Sequence, residues 1–334
     1  MSALTQAAPA RPAIENRLDS LPFGGHPSAL ALDGALAQLD WAPSPPGAAM
    51  ISWWGADYEQ WSAVDAAGRK LTAKLPRAHV EVLGAHHSRV AARLAAGRAG
   101  LGPEVVQADR VTGASVEVDL GPGFRVATLL RIAEGDALSS YLAARAAFRR
   151  LPVNLAPRNV FDDIDHLRLE VARRRLEPPA ELTPLVRKLA QLRQATAAGP
   201  PPAPGWNSSE ISNVLIGADG AVQLVGPLLA GMTDPLEDVG VLANELNPYV
   251  DESDGVIDQA WGRPHPGVRA RAHLYGLADD LRWTLIALVA NSLDPTSPTE
   301  YGGYAVRRTW RAAAAMSRPG QVERWLAEAE EGWR

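Results

Sequence analysis

The chain has no cysteine, which excludes disulfides, thiolate metal sites and a cysteine nucleophile together. It also lacks a long apolar run: nothing approaches the roughly 18 consecutive apolar residues needed to span a bilayer. Its opening stretch, MSALTQAAPARPAIENRLDSLPF, carries Pro, Glu and Asp where a secretory leader would have an apolar core, so no signal is expected there. Charge of one sign is missing too. The 33 basic and 38 acidic residues are spread along the chain for a formal net charge of −5, leaving no basic patch to neutralise nucleic-acid phosphates. Seven histidines occur without the H-x-x-x-H or carboxylate spacing of a metal site. These absences lead one to expect a soluble cytoplasmic protein with no membrane, nucleic-acid or structural-metal partner.

What is present is a globular composition. With 334 residues and 46% hydrophobic content the chain is long enough for two lobes, each with its own core. Residues 1–47 are rich in Ala and Pro, broken at Pro43-Ser44-Pro45-Pro46, with one short helix expected over 28–39. Residues 49–75 read as antiparallel strands punctuated by Gly55 and a turn at 65–68. A helix over 86–100 stops at Gly100, and strands follow at 115–120 and 125–132. Helical patterns then occupy 138–151, 164–175 and 180–195, and a proline-rich connector, 197–205, leads to a hairpin with strands at 214–216 and 222–225. The remainder is helical at 235–246, 268–293, 304–316 and 322–333, with no internal repeat.

The stretch WNSSEISNVLIGADGAVQLVGPLLAGMTDPLEDVG, residues 206–240, organises the rest. It resembles the catalytic loop, hairpin and D-P-x-x-D segment of the choline kinase and aminoglycoside phosphotransferase families, which read H-N-D-x-x-x-x-N, a strand, a turn, a strand ending in Asp, then D-P-x-x-D. That resemblance implies a bilobal, protein-kinase-like α+β fold. An N-terminal lobe of antiparallel sheet and helix would span 48–134, with an inter-lobe hinge at Glu134-Gly135, and a mostly helical lobe would span 135–334 with the loop at 206–213. The spacing is kept and the chemistry is not. Ser208 stands at the catalytic Asp, Trp206 at the His, and Val225, or Gly226 after a one-residue slip, at the metal-binding Asp. Only Asn213 keeps a side chain able to touch metal. Phosphoryl transfer needs magnesium bridging the phosphates and a carboxylate orienting the acceptor hydroxyl. A serine hydroxyl is no base at neutral pH, and valine offers a hard cation no oxygen.

Further matches fill in the expected sites. Lys74 fits the phosphate-binding basic position, although a surface lysine on a strand explains it equally. The helix position that should supply its Glu partner is Arg89 or Val90, so that ion pair is expected to be missing. Trp53 and Trp54 stand where small residues normally let the backbone approach phosphates. Asn213 has the alternative of bonding loop backbone. Asp238, matching the second Asp of D-P-x-x-D, is expected to brace the catalytic loop.

On the acceptor side the resemblance narrows to choline and ethanolamine kinases. Glu245, Trp283, Tyr301 and Tyr304 match a cage of aromatic faces and a carboxylate for a quaternary ammonium, and Ile286 replaces a second Trp. The same aromatics read equally as core packing.

The sequence thus points to a pseudokinase that binds a small cationic metabolite or a protein partner, with no cofactor. It leaves oligomerisation open. The alternative is a divergent small-molecule kinase using ATP, magnesium and a relocated acid such as Glu210. A third reading is a scaffold whose pockets are filled by Trp53, Trp54 and Trp206.

Overall fold

The structure is a computed structural model and describes residues 32–44, 57–133, 136–208, 210–246, 250–295 and 301–333, with 250–252 in backbone only. Trp53, Trp54 and the expected hinge at Glu134-Gly135 lie outside these residues.

The N-terminal lobe is an antiparallel sheet of five strands: β1 (Ala42–Pro43), β2 (Tyr58–Val64), β3 (Lys70–Pro76), β4 (Val105–Ala108) and β5 (Ser115–Val118), in the order β1-β2-β3-β5-β4. The β2–β3 turn forms because Asp65 Oδ1 accepts from the backbone N–H of Ala67 (3.0 Å) and Arg69 (2.8 Å), while Gly68 takes φ +78°. One face of the sheet buries Leu71, Ala73 and Val116 together with Trp41, which reaches over from the segment before β1. That segment holds a 3-10 turn at Gly34–Gln38 rather than the expected α-helix over 28–39. Residues 28–31 are outside the described set.

Two helices follow β3, α1 (Ala78–Val82) and α2 (His86–Arg98). The strand expected over 125–132 is shorter and placed elsewhere. β6 (Phe124–Val126) pairs with β8 (Val214–Gly217), which pairs with β9 (Val222–Leu224), and residues Leu129–Ala133 form α3. Thr128 Oγ1 accepts from the N–H of Arg131 at 3.1 Å, a cap that a run of Leu and Ile does not reveal on its own.

The C-terminal lobe runs through α4 (Ala137–Arg149), α5 (Val160–Arg173) and α6 (Thr183–Ala195). The proline-rich connector ends in β7 (Ala203–Gly205), which pairs with β10 (Gly231–Thr233) and so closes the catalytic-loop segment from both ends. Next come α7 (Pro235–Leu246), α8 (Val250–Trp261), α9 (Pro266–Leu293), α10 (Tyr301–Ser317) and α11 (Gln321–Glu331). α9 is the axis of the lobe, buried along almost its whole length and packed by α5, α7, α10 and α11. A helix surrounded in this way carries no one-sided apolar stripe. Instead Asp279, Asp280 and Arg282 are buried on it and must find partners within the core. No helix among the described residues is long and apolar enough to cross a membrane.

Candidate functional site

The two lobes meet at a cleft of about 270 Å³ lined by Asp57, Tyr58, Lys74, Arg93, Glu117, Asn213, Val225 and Gly226, among others. Both residues expected to bind a cofactor, Lys74 and Asn213, line it. Lys74 has an acidic partner other than the helix Glu whose absence the sequence led one to expect: its Nζ lies 2.6 Å from Glu117 Oε2. The acid comes from the neighbouring strand β5 rather than from α2, where Arg93 approaches the same carboxylate at 3.5 Å. Burial opposes ionisation of Glu117, but Lys74 and Arg93 outweigh it and hold its pKa below the usual range. The resemblance points to an acid on the helix. Its true position, directly across the β3–β5 ladder from Lys74's neighbourhood, follows from strand register.

The catalytic loop keeps its shape through Asp238. Its carboxylate accepts from the N–H of Asn207 at 2.8 Å, from Arg145 at 2.5 Å and from Arg149 at 3.3 Å. Arg145 also donates to the carbonyl oxygen of Ser208 at 2.7 Å. Burial would raise the pKa of Asp238, yet the two guanidiniums bring it down. Asn207 sits at φ +53°, a left-handed conformation that asparagine tolerates better than most residues.

At the positions of this braced loop matched to the catalytic Asp and His stand Ser208 and Trp206. Ser208 is buried, and its Oγ accepts from the N–H of Leu229 at 3.1 Å. Trp206 is a core residue, edge-on to Phe148 with ring centroids 4.9 Å apart, rather than a filling for the cleft. Val225 and Gly226 both line the cleft, so either alignment leaves the metal-ligand position without a side-chain oxygen. An added Cβ at Gly226 would come 2.8 Å from the Asn213 side chain, at a φ of +68°. A residue such as Asp is therefore strained there. Among the described residues no group of three or more His, Cys, Asp or Glu is arranged to hold a metal. The donors at this position, one Asn beside a Val and a Gly, do not fit magnesium.

Glu210, the fallback acid, is 1% exposed and accepts from Asn213 Nδ2 at 3.1 Å. Burial first, then the nearby Asp57, push its pKa up to about 8, with Arg308 opposing. It is chiefly protonated at neutral pH, and it is not among the described residues that line the cleft. Asp57 is itself buried, 3.0 Å from His79 Nε2.

All four cage residues are buried, and Trp283, Tyr304 and Glu245 come together around one side chain. Trp283 and Tyr304 meet edge to face with centroids 5.8 Å apart, and Tyr301 packs against the His79 ring at 5.6 Å. Their cation is already in the chain. The Arg308 guanidinium lies 5.0 Å from the Tyr304 ring centroid and 5.8 Å from that of Trp283. It pairs with Glu245 at 3.1 Å and with Asp279 and Asp280 at 3.1 Å each. Arg307 and Arg311 reach Glu245 as well, at 3.4 and 3.7 Å. Sequence matching found the rings and the acid but not Arg308, although the run Tyr304 to Arg308 is one helical turn and places the guanidinium on the same face.

No family model matches the sequence, and no curated protein does. Solved structures do resemble it. A choline/ethanolamine kinase family protein from Mesorhizobium loti aligns over 95% of this chain and 97% of its own, at 22% identity and a TM-score of 0.68. The choline kinase LicA from Streptococcus pneumoniae aligns over 76% of this chain and 89% of its own, at 14% identity and a TM-score of 0.59. An ethanolamine kinase from Plasmodium vivax aligns over 86% and 84%, at 11% identity and a TM-score of 0.61. The chain therefore has the bilobal, kinase-like fold of the choline/ethanolamine kinases.

Proposed function

We propose that this protein is a catalytically inactive choline-kinase-like protein, a pseudokinase, that works by binding. The observation that carries the reading is the braced loop: its geometry is maintained by Asp238 while Ser208 serves as a buried hydrogen-bond acceptor for Leu229, and the two candidates for the metal-ligand position, Val225 and Gly226, both lack a side-chain oxygen. A loop kept in shape without its reacting groups fits a binding role better than a reaction.

Of the two binding roles open from the sequence, a protein partner is the better supported. A free cationic metabolite at Trp283 and Tyr304 would compete with the tethered guanidinium of Arg308 for Glu245, which already meets three arginines. On the same helix α10, Trp310 and Val306 are exposed one turn apart, the kind of apolar surface a partner covers.

One observation favours the enzyme alternative. A carboxyl with its pKa near 8 in the catalytic loop is the sort of perturbed group that active sites use. Thermal unfolding with ATP, with and without magnesium, separates the readings. The pseudokinase gives no magnesium-dependent rise in the midpoint. A magnesium-dependent rise that Glu210→Gln abolishes supports a kinase built on the relocated acid.

A further inference from the structure

Next to the cleft, several arginines among the described residues bury donors that have no hydrogen-bond partner. Arg89 and Arg93 stand one turn apart on α2, Arg158 lies just before α5, and Tyr58 opens β2. The Arg93 guanidinium lies over the Tyr58 ring, 4.3 Å from its centroid, and both residues line the cleft. Arg93 Nη1 donates to Gly113 O at 3.3 Å and to Ser115 Oγ at 3.1 Å, and Arg158 Nε donates to Asp163 at 2.9 Å. Arg89 is fully buried, and among the described residues its hydrogen bonds go to the Val80 carbonyl at 3.2 Å and His86 Nδ1 at 2.9 Å.

The unused donors are numerous. Nε and Nη1 of Arg89, Nη2 of Arg93, Nη1 and Nη2 of Arg158 and the Tyr58 hydroxyl are buried without a hydrogen-bond partner. The nearby carboxylates are shared: Glu117 serves Lys74 and Arg93, and Asp163 serves Arg158 and Arg282. Arg89 pairs with no carboxylate among the described residues. Burial chiefly, with repulsion from Arg158 and Arg93, brings its pKa down to about 10 against the opposing pull of Tyr58 and Glu81, so it stays charged at neutral pH. Buried polar groups in folded proteins almost always have partners, and an orphaned buried donor costs about 1–3 kcal/mol, more when charged. Guanidinium forks match planar or tetrahedral oxyanions.

We propose that this junction binds a small oxyanion of the phosphate or carboxylate type, held by Arg89, Arg93, Arg158 and the Tyr58 hydroxyl, and that it does so without a divalent metal. The bound anion joins α2 of the N-terminal lobe to the segment before α5 in the C-terminal lobe. The site does not depend on whether the chain transfers phosphate, and its metal independence separates it from nucleotide binding in an active kinase.

The test is thermal unfolding of the full chain in sodium phosphate and in sodium formate, each against sodium chloride at equal ionic strength, for the wild type, Arg89→Gln and Arg158→Gln. The expected result is a saturable rise of a few degrees in phosphate or formate that needs no magnesium and shrinks by more than half in both variants. The anion that saturates assigns the ligand as phosphate or carboxylate. Tyr58→Phe keeps the ring and removes only the hydroxyl, so it provides a milder variant should either arginine change fail to fold, and it should weaken the apparent affinity several-fold. Midpoints that follow ionic strength alike in all three salts, or a rise undiminished in the variants, would overturn the proposal.

Discussion

Ser208, at the position matched to the catalytic Asp, accepts from the N–H of Leu229, and Glu210, two residues on, accepts from Asn213. Replacing Ser208 with Ala removes the acceptor for a buried N–H, so urea unfolding should show a loss of about 1–3 kcal/mol. Ligand responses should not change. Ser208→Asp alone should restore no phosphotransfer, because Val225 still gives metal nothing to bind. Glu210 makes a pH prediction. Its folded pKa of about 8 lies above the unfolded value near 4.5, so folding stability is unaffected below the unfolded value and falls as pH rises towards 8. Glu210→Gln cannot ionise and should therefore be more stable than the wild type at pH 8, by roughly 2–4 kcal/mol on linkage grounds, and no more stable at pH 4.5. Equal stability of the two proteins at pH 8 would show that Glu210 is not held neutral.

The catalytic-loop segment is held at the level of elements: β7 and β10 pair across its ends, and the first turn of α7 supplies Asp238. Asp238→Asn should cost about 3–5 kcal/mol, since it leaves the buried Arg145 and the half-buried Arg149 beside a neutral group. Hydrogen exchange at the Asn207 amide should speed up in the same variant. Most of these elements were legible in the sequence, because a hairpin turn, a Gly stop after α2 and apolar periodicity are local signals. Helix α8 was not anticipated and the 125–132 stretch was misread, since both depend on what the rest of the fold sets beside them. Strand β6 finds its partner in β8, some 90 residues on in the chain. The Lys74 partner was missed for the same reason, as cross-strand neighbours are set by register and not by sequence distance.

For the whole molecule, two sets of carboxyls pull stability in opposite directions. Asp238 and Glu117 have depressed folded pKa values, so the stability they contribute is present above about pH 4.5 and is lost as pH falls through their folded values. Glu210 and Glu237, the latter raised to about 7 chiefly by burial with Asp163 adding to it, take stability away as pH rises from about 4.5 to 8. The midpoint of thermal unfolding should therefore peak near about pH 4.5 and decline as pH rises towards 8, and a maximum above pH 8 would contradict this assignment. The outline of the site was legible because the spacing of the loop, hairpin and D-P-x-x-D segment is kept although the residue types at the positions matched to the catalytic Asp and His differ. The engagement of Trp283, Tyr304 and Glu245 by Arg308 was not, since it takes three helices packed together to bring them into contact. The most direct test of the central claim is transfer of the γ-phosphate from labelled ATP with magnesium to choline, ethanolamine and related amino alcohols. Product at the level of the protein-free control is the predicted result. Turnover above that level, lost in Glu210→Gln, would contradict the pseudokinase account.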